Sequence, residues 1–168
     1  MRNLEDGRVV VRTGTGLRTD VRANGYALVA DEPIDMGGTN SGPTPYDYLL
    51  AALGSCTAMT LRMYADRKKW PLESVAVRLQ HAKVYRRDCE ECETEDRKND
   101  RIGLELELGG PLKETQRRRL LEIAKRCPVH RTLRSAVVVE TSLTIRHLDL
   151  APSAKTVRIS PALDRETL

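Results

Sequence analysis

Phenylalanine is absent from the chain, and one Trp and five Tyr are its only large aromatic residues. Leu, Val, Ala and Met must therefore fill the interior, and a core of that kind gains from further burial against a second copy of the chain. No run approaches the roughly 20 apolar residues that span a bilayer. The opening MRNLEDGRVV has no apolar segment of the secretory kind. A cytoplasmic protein with no membrane partner is the expectation. One-sided charge is missing too: 28 basic side chains stand against 24 acidic ones, for a net charge of +4. Such a mixed surface argues against a nucleic-acid partner. Internal repeats, low-complexity tracts and convincing linkers are also lacking.

What remains is a chain of 168 residues, enough for one domain that needs neither disulfide staples nor a structural metal. The reading is a single domain over residues 1–148 and a C-terminal tail over 149–168. Residues 8–13, 17–23 and 26–30 are short Val-containing runs separated by Thr-Gly-Thr-Gly and Ala-Asn-Gly, the pattern of a strand meander with tight turns. Residues 31–44 carry too many Gly and Pro for a regular element.

Thr44 then offers a cap, Pro45 suits the first helical position, and Asp47 lies in the first turn, where the helix dipole favours a negative charge. Leu49, Leu53, Cys56, Thr60 and Met63 recur at steps of four and three, widened by Leu50, Ala52 and Met59. This predicts a long helix, closed by Lys68-Lys69-Trp70-Pro71, with that stripe toward the core. Alternation predicts strands over residues 72–85 and 102–108, separated by a polar excursion over 86–100. A second helix is expected over 112–126, with Leu120, Ala124 and Cys127 on one face. Pro128 starts a short turn, and a long strand is expected over 136–148. The order of elements makes the fold α+β.

In a reducing compartment, redox, metal-binding and packing roles compete for four cysteines. Cys56 on an apolar helix face reads first as an inert buried thiol, and Cys127 is equally ambiguous. Each lies on the core stripe of a different helix, however, so packing the helices together would bring the two sulfurs near each other. Cys89 and Cys92 form a CxxC within Asp88-Cys-Glu-Glu-Cys-Glu93. The surrounding carboxylates raise thiol pKa values, which makes a redox pair a poor reading. A zinc site would need further soft donors, for which His81, His130 or Cys127 are the candidates, and an exposed pair of thiols on a loop is the plainer alternative. His130 reads either as an acid or base near Cys127 or as a capping donor. Arg117-Arg118-Arg119 reads as a solvated helix face.

The run GPTPYDYLLAALGSCTAMTL, residues 42–61, resembles the signature helix of the OsmC/organic hydroperoxide resistance family, and KRCPVHRTL, residues 125–133, resembles its second-cysteine motif. The resemblance implies an OsmC-like fold, with mostly antiparallel sheets around two core helices that carry the cysteines. It also implies an intertwined homodimer with active sites at the subunit interface. The implied activity is a thiol peroxidase acting on organic hydroperoxides. Cys56 would be the peroxidatic residue and Cys127 the resolving one, an external dithiol of lipoyl type would be the reductant, and no metal or other cofactor would be needed.

In the better studied branches an Arg from the N-terminal strands, held by a Glu before the cysteine helix, activates the thiol. Arg12, Arg18 and Arg22 are available here, with Arg18 or Arg22 better placed and Arg18 taken as the candidate. Tyr46 stands where those branches have Glu, so the nearest carboxylate is Asp47. This Pro-Tyr-Asp form resembles a less characterised branch. The rival reading is a non-enzymatic module that senses thiols or metals, or binds a ligand, through the Cys89/Cys92 loop.

Overall fold

In the computed structural model, which describes residues 9–84, 99–145 and 155–158, the chain opens with an antiparallel meander. Its strands are β1 (Val9–Thr13), β2 (Thr19–Ala23) and β3 (Tyr26–Ala30), in the order β1-β2-β3. Ala23 pairs with Tyr26, which leaves a two-residue hairpin loop at Asn24 and Gly25. Both loop residues have positive φ, 48° and 86°, as the tight turn matching strand twist requires.

The Gly- and Pro-rich stretch that follows has an organised interior. Its centre is Asp31, a buried carboxylate. Asp31 Oδ2 accepts from the backbone N–H and hydroxyl of Thr39, at 3.0 and 2.6 Å, and from those of Ser41, at 3.0 and 2.9 Å. Oδ1 accepts from the Glu32 N–H at 2.9 Å. Gly38 is required at its position, because a Cβ there would overlap the Glu32 carbonyl. The Asp31 N–H donates to Pro43 O at 3.1 Å, so the loop closes on itself directly before the first helix.

That helix, α1 (Pro45–Lys68), starts with a reciprocal cap. Thr44 Oγ1 accepts from the Asp47 N–H, and Asp47 Oδ2 accepts from the Thr44 N–H. Two orphan donors of the first turn are thereby satisfied. Lys69, at φ 54°, ends the helix in a left-handed turn. Then β4 (Ser74–Val84) and β5 (Asn99–Gly109) pair antiparallel, with Val75 opposite Leu108, Val77 opposite Leu106 and Leu79 opposite Leu104. The helices α2 (Glu114–Ala124) and α3 (Pro128–Arg134) follow. Leu61, Ala65, Leu72, Leu112, Leu120, Ile123 and Ala124 form the core, with Tyr64, Trp70, Val75, Leu106 and Leu108 packed against it.

Two expectations are corrected here. The buried residues of α1 are Leu53, Gly54, Thr57, Leu61 and Ala65, whereas Met59 and Met63 are 64% and 73% exposed. The core face is thus turned by about one residue, roughly 100°, from the stripe the sequence suggested. The helix carries apolar side chains on two faces, and periodicity alone does not say which face enters this chain's own core. The last expected strand is also shorter at its start. Residues 136–141 hold no regular element, with Val137, Val138 and Val139 exposed, and β6 runs over Ser142–Ile145. Its partner β7 (Lys155–Arg158) lies in the stretch read as a tail. The described residues up to Arg131 form one compact unit and those from Thr132 a second.

Candidate thiol site

Cys56 comes from the fourth turn of α1, at the edge of its buried face, and is partly exposed. Cys127 occupies the corner between α2 and α3 and is wholly buried. The corner is built by local rules: the Arg126 N–H bonds to Ile123 O at 2.9 Å and the Cys127 N–H to Ala124 O at 3.2 Å, which tightens the end of α2. Pro128 then starts a new helix, and Cys127 O accepts from the Arg131 N–H at 3.0 Å.

This geometry brings the two thiols within hydrogen-bonding reach of each other. Burial pushes the Cys56 thiol up, and the neighbouring Cys127 sulfur adds to that rise, against smaller help from the Val129 N–H. Burial also acts to raise the Cys127 thiol. It is outweighed by the donors around the sulfur, Cys56 first, then the His130 N–H, the nearby Thr57 hydroxyl and the Val129 N–H, so Cys127 ends below its ordinary value. The two thiols are thus displaced in opposite directions, Cys56 upward by burial and Cys127 downward by the donors around it.

The other residues singled out in the sequence are placed as follows. Asp47 is occupied at the helix cap, where its Oδ2 accepts from both the N–H and the hydroxyl of Thr44, at 2.9 and 2.8 Å. These bonds hold its carboxyl below the usual range. Arg18 makes an exposed ion pair with Asp20 at 3.1 Å, and the groups that set the Cys56 pKa are Cys127, Val129 and Thr60. His81 stacks on Tyr46, with ring centroids 4.4 Å apart, and its Nε2 lies 2.7 Å from Asp100 Oδ1. His81, on β4, thus meets the first turn of α1.

His130 donates from Nδ1 to Lys125 O at 3.0 Å, the capping role. The three arginines are not simply a solvated face. Arg117 donates to Leu108 O and Gly110 O at 2.7 and 3.1 Å, Arg118 pairs with Glu114, and Arg119 reaches Tyr64 Oη at 3.3 Å. Cys89 and Cys92 lie outside the described residues. Among those described, no three His, Cys, Asp or Glu side chains gather as metal ligands, and no helix is long and apolar enough to cross a membrane. An open groove of about 410 Å³ between α1 and β4, lined by Asp47, Leu50, Gly54, Ser55, Val77 and Leu79, stands apart from the cysteine pair.

Thr57 is the residue that sequence reading missed. Its signal was present, as the one hydroxyl in the row Leu53, Thr57, Leu61, Ala65, but it shows only once the buried face of α1 is correctly phased.

The model of the OsmC-like protein family matches residues 38–142, a span that includes Cys56 and Cys127 and runs from the loop before α1 through α3 to the start of β6. The chain belongs to the OsmC-like family. Among solved structures, the OsmC-like protein of Mycoplasma pneumoniae superposes with a TM-score of 0.62 at 20% identity, covering 76% of this chain and 86% of that one. The organic hydroperoxide resistance protein OsmC of Legionella pneumophila gives 0.58 at 18% identity, over 79% and 92%. An OsmC-like protein of unknown function from Vibrio cholerae gives 0.56 at 11% identity, over 74% and 91%. At these identities the likeness is one of fold, and that fold carries both a hydroperoxide resistance protein and a protein without an assigned activity. No curated protein matches the chain.

Proposed function

We propose that the protein is a thiol-dependent peroxidase that reduces organic hydroperoxides through Cys56 and Cys127. The observation that carries this reading is the contact between two thiols of unequal access, one partly exposed on α1 and one wholly buried behind it. A peroxide reaches the accessible sulfur. The Cys56 thiolate attacks the terminal peroxide oxygen, the O–O bond breaks, and the alkoxide leaves with a proton as the alcohol. Cys56 is then a sulfenic acid. The Cys127 thiolate, favoured by its hydrogen bonds, attacks that sulfur and expels hydroxide, which leaves as water. A dithiol, of lipoyl type in this reading, reduces the disulfide.

A thiolate at Cys56 calls for a cation, and Arg18 is the candidate. Its exposed pair with Asp20 is of a kind worth little, so that pair does not tie it to Asp20. Asp47 enters this reading through the capped start of the helix that carries Cys56. The working form is proposed to be a cytoplasmic homodimer, supported by the apolar side chains that α1 and the meander leave exposed, Met59, Met63, Val9 and Val11 among them.

The test is consumption of an alkyl hydroperoxide by the full-length protein with a dithiol as reductant. Turnover that depends on Cys56 is the expected result. A protein that leaves the hydroperoxide intact, with Cys56 unoxidised, overturns the proposal.

A further inference from the structure

Thr57 follows Cys56 on α1 and, unlike it, is wholly buried. Its Oγ1 has no hydrogen-bonding partner of the ordinary kind among the described residues, a costly and uncommon state for a buried hydroxyl. What the hydroxyl does meet is the sulfur of Cys127. A neutral thiol is a weak acceptor and a thiolate a strong one, so this donor is satisfied only when Cys127 carries charge. Thr60, which lies beside the Cys56 sulfur, differs in that its hydroxyl is already committed to the Cys56 carbonyl at 2.7 Å. The N–H groups of Val129 and His130 also act on the Cys127 sulfur. His130 commits its ring Nδ1 to Lys125 O and takes no part.

We propose that Thr57 stabilises Cys127 as the leaving thiolate when a Cys56–Cys127 disulfide is reduced, and thereby directs the incoming thiol to Cys56. This rests on the reading of Cys56 and Cys127 as the working pair. A thiolate of the dithiol reductant attacks Sγ of Cys56. The bond between the two protein sulfurs breaks, and its electron pair goes to Cys127, where the Thr57 hydroxyl donates to it. The reductant is now joined to Cys56. Its second thiolate attacks its own bound sulfur, Cys56 leaves as a thiolate, and the reductant departs as a disulfide. Two electrons have passed, and the two protons of the reductant's thiols are available to the two cysteines.

Access favours the same regiochemistry, since Cys56 is partly exposed and Cys127 is not, so the hydroxyl has to be tested apart from access. The full-length protein carrying Cys89→Ser and Cys92→Ser is oxidised with diamide, then mixed with one equivalent of a monothiol, quenched in acid and mapped by mass spectrometry. The mixed disulfide is expected on Cys56. Thr57→Val, which keeps the shape and removes the donor, is expected to slow opening about tenfold, while Thr57→Ser restores the parent rate to within about twofold. Thr57→Ala, also without a donor, is expected to match Thr57→Val.

Opening of Thr57→Val at the parent rate, or a mixed disulfide on Cys127 in the parent, overturns the inference. So does failure of diamide to join the two cysteines. Because diamide replaces peroxide, a protein that is inactive toward hydroperoxides but behaves as described here defeats the peroxidase reading alone.

Discussion

The hydroxyl of Thr57 faces the sulfur of Cys127, and no nitrogen or oxygen among the described residues takes its hydrogen bond. In the reduced, protonated protein the group has lost its water and gained little in return. Replacing it by a methyl removes that cost. Thr57→Val is therefore expected to raise the unfolding free energy of the reduced protein by about 1 kcal/mol, read by urea denaturation as a higher midpoint with an unchanged slope. A loss of stability of the same size would show that the hydroxyl has a strong partner in the reduced state. Stability and reducibility of the disulfide are thus expected to move in opposite directions at this one residue.

The roles assigned to the two cysteines are asymmetric, and so are the expected variants. Cys56→Ser abolishes hydroperoxide consumption, because the attacking sulfur is gone. Cys127→Ser still permits one oxidation and accumulates a sulfenic acid at Cys56, trapped with a dione reagent and weighed by mass spectrometry. Replacing Cys89 and Cys92 together leaves that first oxidation nearly unchanged, since the carboxylates around them disfavour thiolate formation. If the double replacement stopped oxidation and Cys56→Ser did not, the reactive centre would be the CxxC and the present assignment would fail.

The carboxylate of Asp31 ties the loop before α1, and its pKa is driven well below the usual carboxylate range, first by the Thr39 hydroxyl and then by the Ser41 N–H. A depressed folded pKa contributes stability that is present above the unfolded value of about 3.9 and is lost as pH falls toward the folded one. Asp47, lowered by the Thr44 N–H and hydroxyl, acts in the same direction. Asp31→Asn is expected to melt several degrees below the parent at neutral pH, and the gap should narrow as pH falls below about 4. A gap independent of pH would assign the loss to shape and not to charge. The neighbouring cap is tested separately: Thr44→Ala is expected to cost about 1 kcal/mol.

Much of this architecture is written locally. Asn24-Gly25 specifies a tight hairpin, Thr44-Pro45 with Asp47 specifies the start of α1, and the alternation of Val75, Val77 and Leu79 specifies the inner face of β4; the structure contains all three. The cysteine motifs were legible for the same reason, as short strings whose chemistry depends on residue type. What the sequence hid depends on long-range packing. Asp31 sits in a stretch of breakers and looks like any loop acid, because its partners Thr39 and Ser41 acquire meaning only when the loop folds back. Thr57 was passed over because α1 carries two apolar faces and the brighter one, with Met59 and Met63, is not the one buried in this chain.

That second face supplies the last prediction. An exposed thioether pair one turn apart on a long helix is expensive to leave in water, and a stable interface buries about 1,200–2,000 Å² in all. A homodimer that covers Met59 and Met63 would supply burial that a chain without Phe has difficulty finding inside a single copy. Light scattering at micromolar concentration is expected to give twice the mass of 18.9 kDa. Met59→Glu with Met63→Glu should shift the protein toward monomer, because two carboxylates would have to be desolvated at the interface. A wild-type monomer would overturn the dimer. A double variant that remains fully dimeric would instead move the interface off this face of α1, to other exposed apolar residues such as Val9 and Val11.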